Sequence, residues 1–267
     1  MTIFRSFTFA ATVAAMTVLG AASASADALS DIMAAGKIRV ATDLALPPSG
    51  MLDADLKPIG SDVETAQLLA KDWGLELEFI QTTGATRIPN LQTNKADIAI
   101  STLSVTPERQ QVIDFSEPYA GLLSVIAAPA SAELKDWADL QGKTVAVTRG
   151  TTQDSELSKR ASAEGFSVAR YDDDATLVTA AVSGQAAMVA TSATLVKQIH
   201  NKDPQKAFEP KLTIRVFNLA IGVRKNEPEL LAKLDGWVKT NMENGKLNEI
   251  YKKYHGTELP PEITKAK

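Results

Sequence analysis

The feature that most constrains this chain is an alternation of strand and helix patterns that occurs twice. Short apolar runs rich in β-branched residues, Ile38–Thr42, Leu77–Gln81 and Ile98–Ser101, read as buried strands. Between the first two, Val63, Ala66, Ala70 and Trp73 recur at helical spacing across Ser61–Trp73. Ser61 and Glu64 are spaced as a capping box, and Gly74 stands where a C-cap glycine would. The pattern restarts with Thr144–Thr148, a helix from Thr152 to Glu164, Val168–Tyr171, a helix from Asp174 to Ser183, and Met188–Ala190. Strand, helix, strand in that order requires crossover connections, and therefore a mostly parallel α/β sheet.

Leu122–Ala128 is an extended run placed to carry the chain from the first block to the second. Leu212–Phe217 and Leu219–Val223 are placed to bring it back. The remainder reads as helical. Asn226 is positioned as a cap with Pro228 in the first turn, and Leu230, Leu234, Trp237 and Val238 form the apolar face. Gly245 ends that helix, and Leu247, Ile250, Tyr251 and Tyr254 mark a last short one. Two α/β lobes joined by two extended crossings fit this order. A single continuous sheet is the alternative.

Residues 1–26 follow a different rule. Arg5 precedes an apolar run from Phe7 to Leu19, and small residues lead to Ala26. A basic start, a short apolar centre and an A-x-A exit form the layout of a secretory signal peptide, with cleavage expected after Ala26. A membrane-spanning helix wants about 20 apolar residues, more than this run supplies. Export to the periplasm follows. The chain of 267 residues has no cysteine, so neither a lipid tether nor a disulfide framework is expected and stability must come from packing. A net charge of −4 argues against nucleic acid and anionic membranes as partners.

The stretch from Ile100 to Arg109 carries the most chemistry. A strand ends near Ser101, Thr106 can cap a short helix, and Pro107 suits its first position. Thr102 and Ser104 then place hydroxyls at the C-terminal rim of a parallel sheet, where open α/β folds bind ligands. Arg109, in the helix's first turn, offers a planar fork that matches a carboxylate. A surface arginine paired with Glu108 or Asp114 is the competing reading. Farther on, Gly150-Thr151-Thr152 opens a helix whose free N–H groups favour an anion, although an ordinary capped turn has the same sequence.

The stretch ADIAISTLSVTPERQQVIDFSEPY, from Ala96 to Tyr119, closely resembles the solute-binding proteins of polar amino-acid ABC importers, family 3. IRVATD, GSDVETAQLLAKDWG, RIPNLQTNKADI, KTVAVTRGTTQ, LVTAAVSGQAAMVA and the GVRKNEPELLAKLDGW…NGKLNEIYKKY tail extend the resemblance through the chain. It implies a two-lobed type II periplasmic-binding fold, with residues 27–120 plus 218–267 in one lobe and 121–217 in the other. It also implies a monomer that closes on a small carboxylate, an amino acid by expectation, and delivers it to an ABC permease without catalysis. On this resemblance Arg109 grips the ligand's carboxylate, Ser104 and Thr102 assist, and Thr152, beside Thr151, meets the ligand from the second lobe.

Several positions depart from the family's pattern. The Asp that pairs with an α-ammonium, eight residues after Gly184, is Ser192 here. Asp174 is a possible substitute, or a plain N-cap, while Asp172 and Asp173 read as solvated loop charges. Leu46 occupies a position where relatives carry tyrosine. Asp43 matches a residue that faces cationic side chains, whereas Arg87 matches one that faces anionic side chains, and Arg149 adds positive charge. These cues do not name one ligand.

Other chemistry finds little support. There is no P-loop and no GxGxxG, and His200 and His255 fall outside any metal-ligand spacing and off the expected cleft motifs. No cofactor or metal is expected, and Trp73, Trp137 and Trp237 read as packing residues. Two other functions stay open: an exported enzyme resembling cyclohexadienyl dehydratase, with Asp174 or Glu64 as general acid, and a receptor that presents its closed form to a sensor protein.

Overall fold

A computed structural model describes residues 27–264. The expected signal peptide lies outside the described residues. Ten strands form in chain order: β1 (Lys37–Thr42), β2 (Met51–Leu52), β3 (Pro58–Ile59), β4 (Glu76–Gln81), β5 (Ile98–Ala99), β6 (Asp114–Pro129), β7 (Thr144–Thr148), β8 (Ser167–Tyr171), β9 (Val189–Ser192) and β10 (Phe208–Val223). Eight of them make one ladder, ordered β4-β1-β5-β10-β6-β9-β7-β8, with β2 and β3 paired apart.

Both architectures offered by the sequence are partly realised. The ladder is continuous because β6 and β10, 16 residues each, run antiparallel through the whole molecule. Yet β10 meets the first parallel group only through Gly222 and Val223 against Ala99 and Ile98, while β6 meets the second through Ser124–Ala127 against Val189–Ser192. The cores are separate. Ile38, Val40, Leu69, Ile98 and Ile100 pack with Leu230, Leu234 and Trp237 at one end. Val125, Leu177, Leu195 and Ile199, backed by Val145, Val147 and Leu157, fill the other. The protein is two-lobed, and the paired segments Ala120–Leu122 and Phe217–Leu219 connect the lobes.

The two extended runs expected on the return path are one strand. Register shifts at Leu219/Ala220 and Ala220/Gly222 let β10 bend without ending. Two caps also differ. Ser61 is the first helical residue of Ser61–Trp73, Gly60 is its N-cap, and the Glu64 carboxylate pairs with Lys253 instead of closing a capping box. Asn226 does not cap Pro228–Glu243, for which Glu227 is the N-cap and makes no side-chain cap bond. The Asp27 carboxylate instead accepts from Glu229 N and Leu230 N, tying the first described residue to this helix. The tryptophans are packing residues, Trp237 donating to Asp72 at 2.9 Å and Trp137 lying 6.4 Å from Phe166.

Candidate functional site

In both lobes the parallel strands end facing the space between them. β1 and β5 stop at Thr42 and Ala99, and β7 stops at Thr148, so the loops that follow meet across a narrow cleft lined from both lobes. This is the position where open α/β sheets expose unpaired backbone ends to a ligand.

Arg109 lies in the short helix Pro107–Gln110, whose start is fixed by Thr106 accepting from Arg109 N. Its guanidinium donates to Ser104 O at 2.9 Å within its own lobe and to Gly150 O at 3.1 Å across the cleft. Glu108 pairs with Lys159 and Asp114 with Lys225, so the reading of Arg109 as a partner of either acid is excluded. Burial, and then the like charge of Arg87, pulls Arg109 down to about 9, which leaves it charged at neutral pH. Ser104 is buried and bridges Leu219 through its backbone, and it lines the cleft.

Arg87 is 4% exposed. Its guanidinium donates to Gly84 O, Ser101 O and Thr102 O. Burial pushes it down, opposed by the charges of Asp43, Asp174 and Asp62. Among the described residues, neither Arg87 nor Arg109 forms an ion pair with a carboxylate; their protein acceptors are main-chain carbonyls.

Thr102 lines the cleft, but its hydroxyl is committed. It donates to Asp62 at 2.7 Å, while the Tyr119 hydroxyl donates to the other oxygen of the same carboxylate at 2.7 Å. Thr102 has φ +47, a costly value for a β-branched residue, and the Asp62 bonds hold it there. The expected hydroxyl contact from Thr102 is therefore replaced by a structural one. Asp62 was missed in the sequence because it reads there as an ordinary acidic residue in a helix's first turn.

From the second lobe, Thr151 is the N-cap of Thr152–Glu164 and accepts from Asp154 N, and Thr152 opens the helix at the cleft wall. Asp174 is buried, lines the cleft and accepts from the Thr148 hydroxyl at 2.6 Å. Burial raises it to about 6, with the Thr148 bond opposing. It is not a cap: Asp173 is, accepting from Thr176 N at 2.7 Å, which also corrects the reading of Asp173 as a free loop charge. Ser192 faces the cleft and caps Ala193–Lys202 by accepting from Leu195 N.

Asp43 does not reach the cleft wall. It is buried behind it, capping Ala45 N, and burial raises its pKa. Leu46 supplies an aliphatic wall, and its backbone closes a tight loop with Gly50. Arg149 points elsewhere, paired with Asp172 at 3.5 Å. His255 is a further correction: it lines the cleft, brought there by the last turn of Lys246–His255, far in sequence from the motifs expected at the cleft.

The lobes touch through glycine. A Cβ built on Gly84 would lie 2.7 Å from Arg149 O, and one on Gly150 2.8 Å from Ala85 Cα, so side chains at either position would hold the lobes apart. Residues 38–257 match the model of the bacterial extracellular solute-binding proteins, family 3. The chain belongs to this family. The L-arginine-binding protein of Pseudomonas aeruginosa is 28% identical over 247 residues, covering 90% of this chain and 95% of that protein. The solute receptor for L-cysteine of Neisseria gonorrhoeae superposes with a TM-score of 0.80 at 28% identity, covering 88% of this chain and 98% of that one. An ancestral amino acid-binding protein, described as a precursor of cyclohexadienyl dehydratase, gives 0.76 at 29% identity, with 85% and 99% covered. Among the described residues no helix is long and apolar enough to cross a membrane.

Proposed function

We propose that the protein captures a zwitterionic amino acid in the interlobe cleft and delivers it to an ABC importer, working as a periplasmic monomer. The carrying observation is Arg109, a half-buried guanidinium without a carboxylate partner that already reaches both lobes through Ser104 O and Gly150 O. A ligand carboxylate there would gain charge-assisted bonds from one lobe and the N-terminus of Thr152–Glu164 from the other. Contacts made better in the closed arrangement are what drive closure. We place the lobes at residues 27–120 plus 218–267 and 121–217.

Charge balance supports a zwitterion over a simple acid. Arg87, Arg109 and Asp174 line the cleft, and Asp43 and Asp62 are buried behind it near Arg87, so a lone carboxylate would add negative charge beside acids that already outnumber the two arginines. Asp174, whose protein bond uses one oxygen, takes the ammonium in place of the family's Asp at Ser192, and Arg87 favours a side chain ending in an acceptor. The cleft wall contains no Phe, Tyr or Trp among the described residues, which disfavours flat cationic side chains. A thermal-shift screen of amino acids with and without the α-amino group tests this. Stabilisation by zwitterions with acceptor-bearing side chains is expected, and stabilisation solely by acids without an amine would overturn the ammonium assignment.

A catalytic reading has two observations in its favour. Asp174, raised to about 6, has the acidity a general acid needs, and one structural relative is named for a dehydratase lineage. Glu64 is removed from this role by its exposed pair with Lys253. Incubation with prephenate and arogenate decides the matter, with no product expected.

A further inference from the structure

We infer that His255 is a latch that joins the helix Lys246–His255 of the first lobe to the second lobe when the cleft closes. Its ring is set from the first lobe on two sides. Nε2 lies 3.0 Å from the Ser61 hydroxyl at the start of Ser61–Trp73, and the Tyr251 ring stacks on it at 4.2 Å between centroids. Tyr251 is itself tied to the crossing, donating its hydroxyl to Gly121 O at 3.3 Å. The other ring nitrogen, Nδ1, lies 3.4 Å from the hydroxyl of Thr194, in the first turn of the second lobe's helix Ala193–Lys202.

The imidazole is thus a pre-positioned arm with one contact across the cleft. A hydroxyl can donate or accept, so Ser61 and Thr194 satisfy either tautomer of a neutral ring. Burial pushes the ring down to about 4, which keeps it neutral in the closed arrangement. The latch stands beside Ser192 at the cleft wall, separate from the Arg109–Gly150 contact, so closure is pinned at two places. It rests on the two-lobed reading of the cleft and not on the identity of the ligand.

The test uses the absence of native cysteine. In a Glu108→Cys/Lys159→Cys background, which replaces an ion pair between the lobes at 3.0 Å, a short bis-maleimide traps closure, and its rate follows the closed fraction even where that is small. Without ligand, His255→Ala and Thr194→Val are each expected to slow trapping by about threefold to tenfold, the worth of one lost hydrogen bond. The double variant should slow it no further, His255→Gln should recover part of the rate, and the melting temperature of Thr194→Val, which leaves the Ser61 and Tyr251 contacts intact, should barely move. Unchanged trapping in either single variant, or additive slowing in the double, would overturn the latch. A failed amino-acid screen with intact coupling would count against the proposed ligand and leave the latch standing.

Discussion

Replacing Asp174 with Asn should stabilise the protein and cost it its ligand. The carboxyl is buried, and burial raises it from 3.8 to about 6. The folded state therefore holds this proton more tightly than the unfolded chain does. The associated stability is fully present below 3.8 and is lost as pH rises through 6. By pH 8 the ionised group costs on the order of 3 kcal/mol. Asn keeps an oxygen to accept from the Thr148 hydroxyl and carries no charge at any pH. The Asn variant should then match the wild type near pH 4 and exceed it at pH 8 by roughly 5–10 °C in melting temperature. Differential scanning calorimetry without ligand at both pH values provides the comparison. An equal difference at pH 4 and pH 8, or a loss at pH 8, would refute the reasoning. The same variant should lose most affinity for zwitterionic ligands, because the burial cost is tolerated for what the charge binds.

Arg109→Ala should weaken carboxylate binding by about 2–5 kcal/mol in calorimetry, since the ligand's charge is left without its partner; undiminished affinity would remove the proposed grip. Gly84→Ala introduces a Cβ 2.7 Å from Arg149 O without placing Gly84 in the left-handed region, so it should lower affinity while the melting temperature of the ligand-free protein stays near wild type. Ser192→Asp in the Asp174→Asn background should restore part of the binding, because Asp caps the helix as Ser does and returns a negative charge to the cleft; a ligand titration showing no recovery would place the ammonium away from position 192.

Much of this was legible in the sequence because it depends on local order. The helices Thr152–Glu164 and Asp174–Ser183 are where their spacing and flanking glycines put them, and Thr106-Pro107 places Arg109 by rules that act over four residues. What escaped depends on distant chain segments meeting. Asp62 reaches Thr102 and Tyr119 across 40 and 57 residues, and the pairing turns an apparent cleft hydroxyl into a support. His255 enters the cleft 194 residues after Ser61. Asp43 failed as a wall residue for a related reason: its nearest donor, Ala45 N, draws the carboxylate into its own loop.

The closing surfaces explain why a ligand should control this molecule. Where the lobes meet at Gly84 and Gly150, neither position has a side chain to add attraction. The Lys159–Glu108 pair between them is exposed and salt-screened, so it contributes little. Among the described residues, that leaves as polar contacts one charge-assisted bond at Arg109 to Gly150 O and one neutral contact at His255 to Thr194. Two such bonds are too few to hold two lobes against the freedom regained on opening, yet enough to make closing inexpensive once a carboxylate joins them. A shift from mostly open to mostly closed takes about 5.5 kcal/mol of differential binding. A carboxylate at Arg109 and an ammonium at Asp174 are of the size to supply it. Removing either should therefore leave a protein that folds, stays open and fails to respond to its ligand.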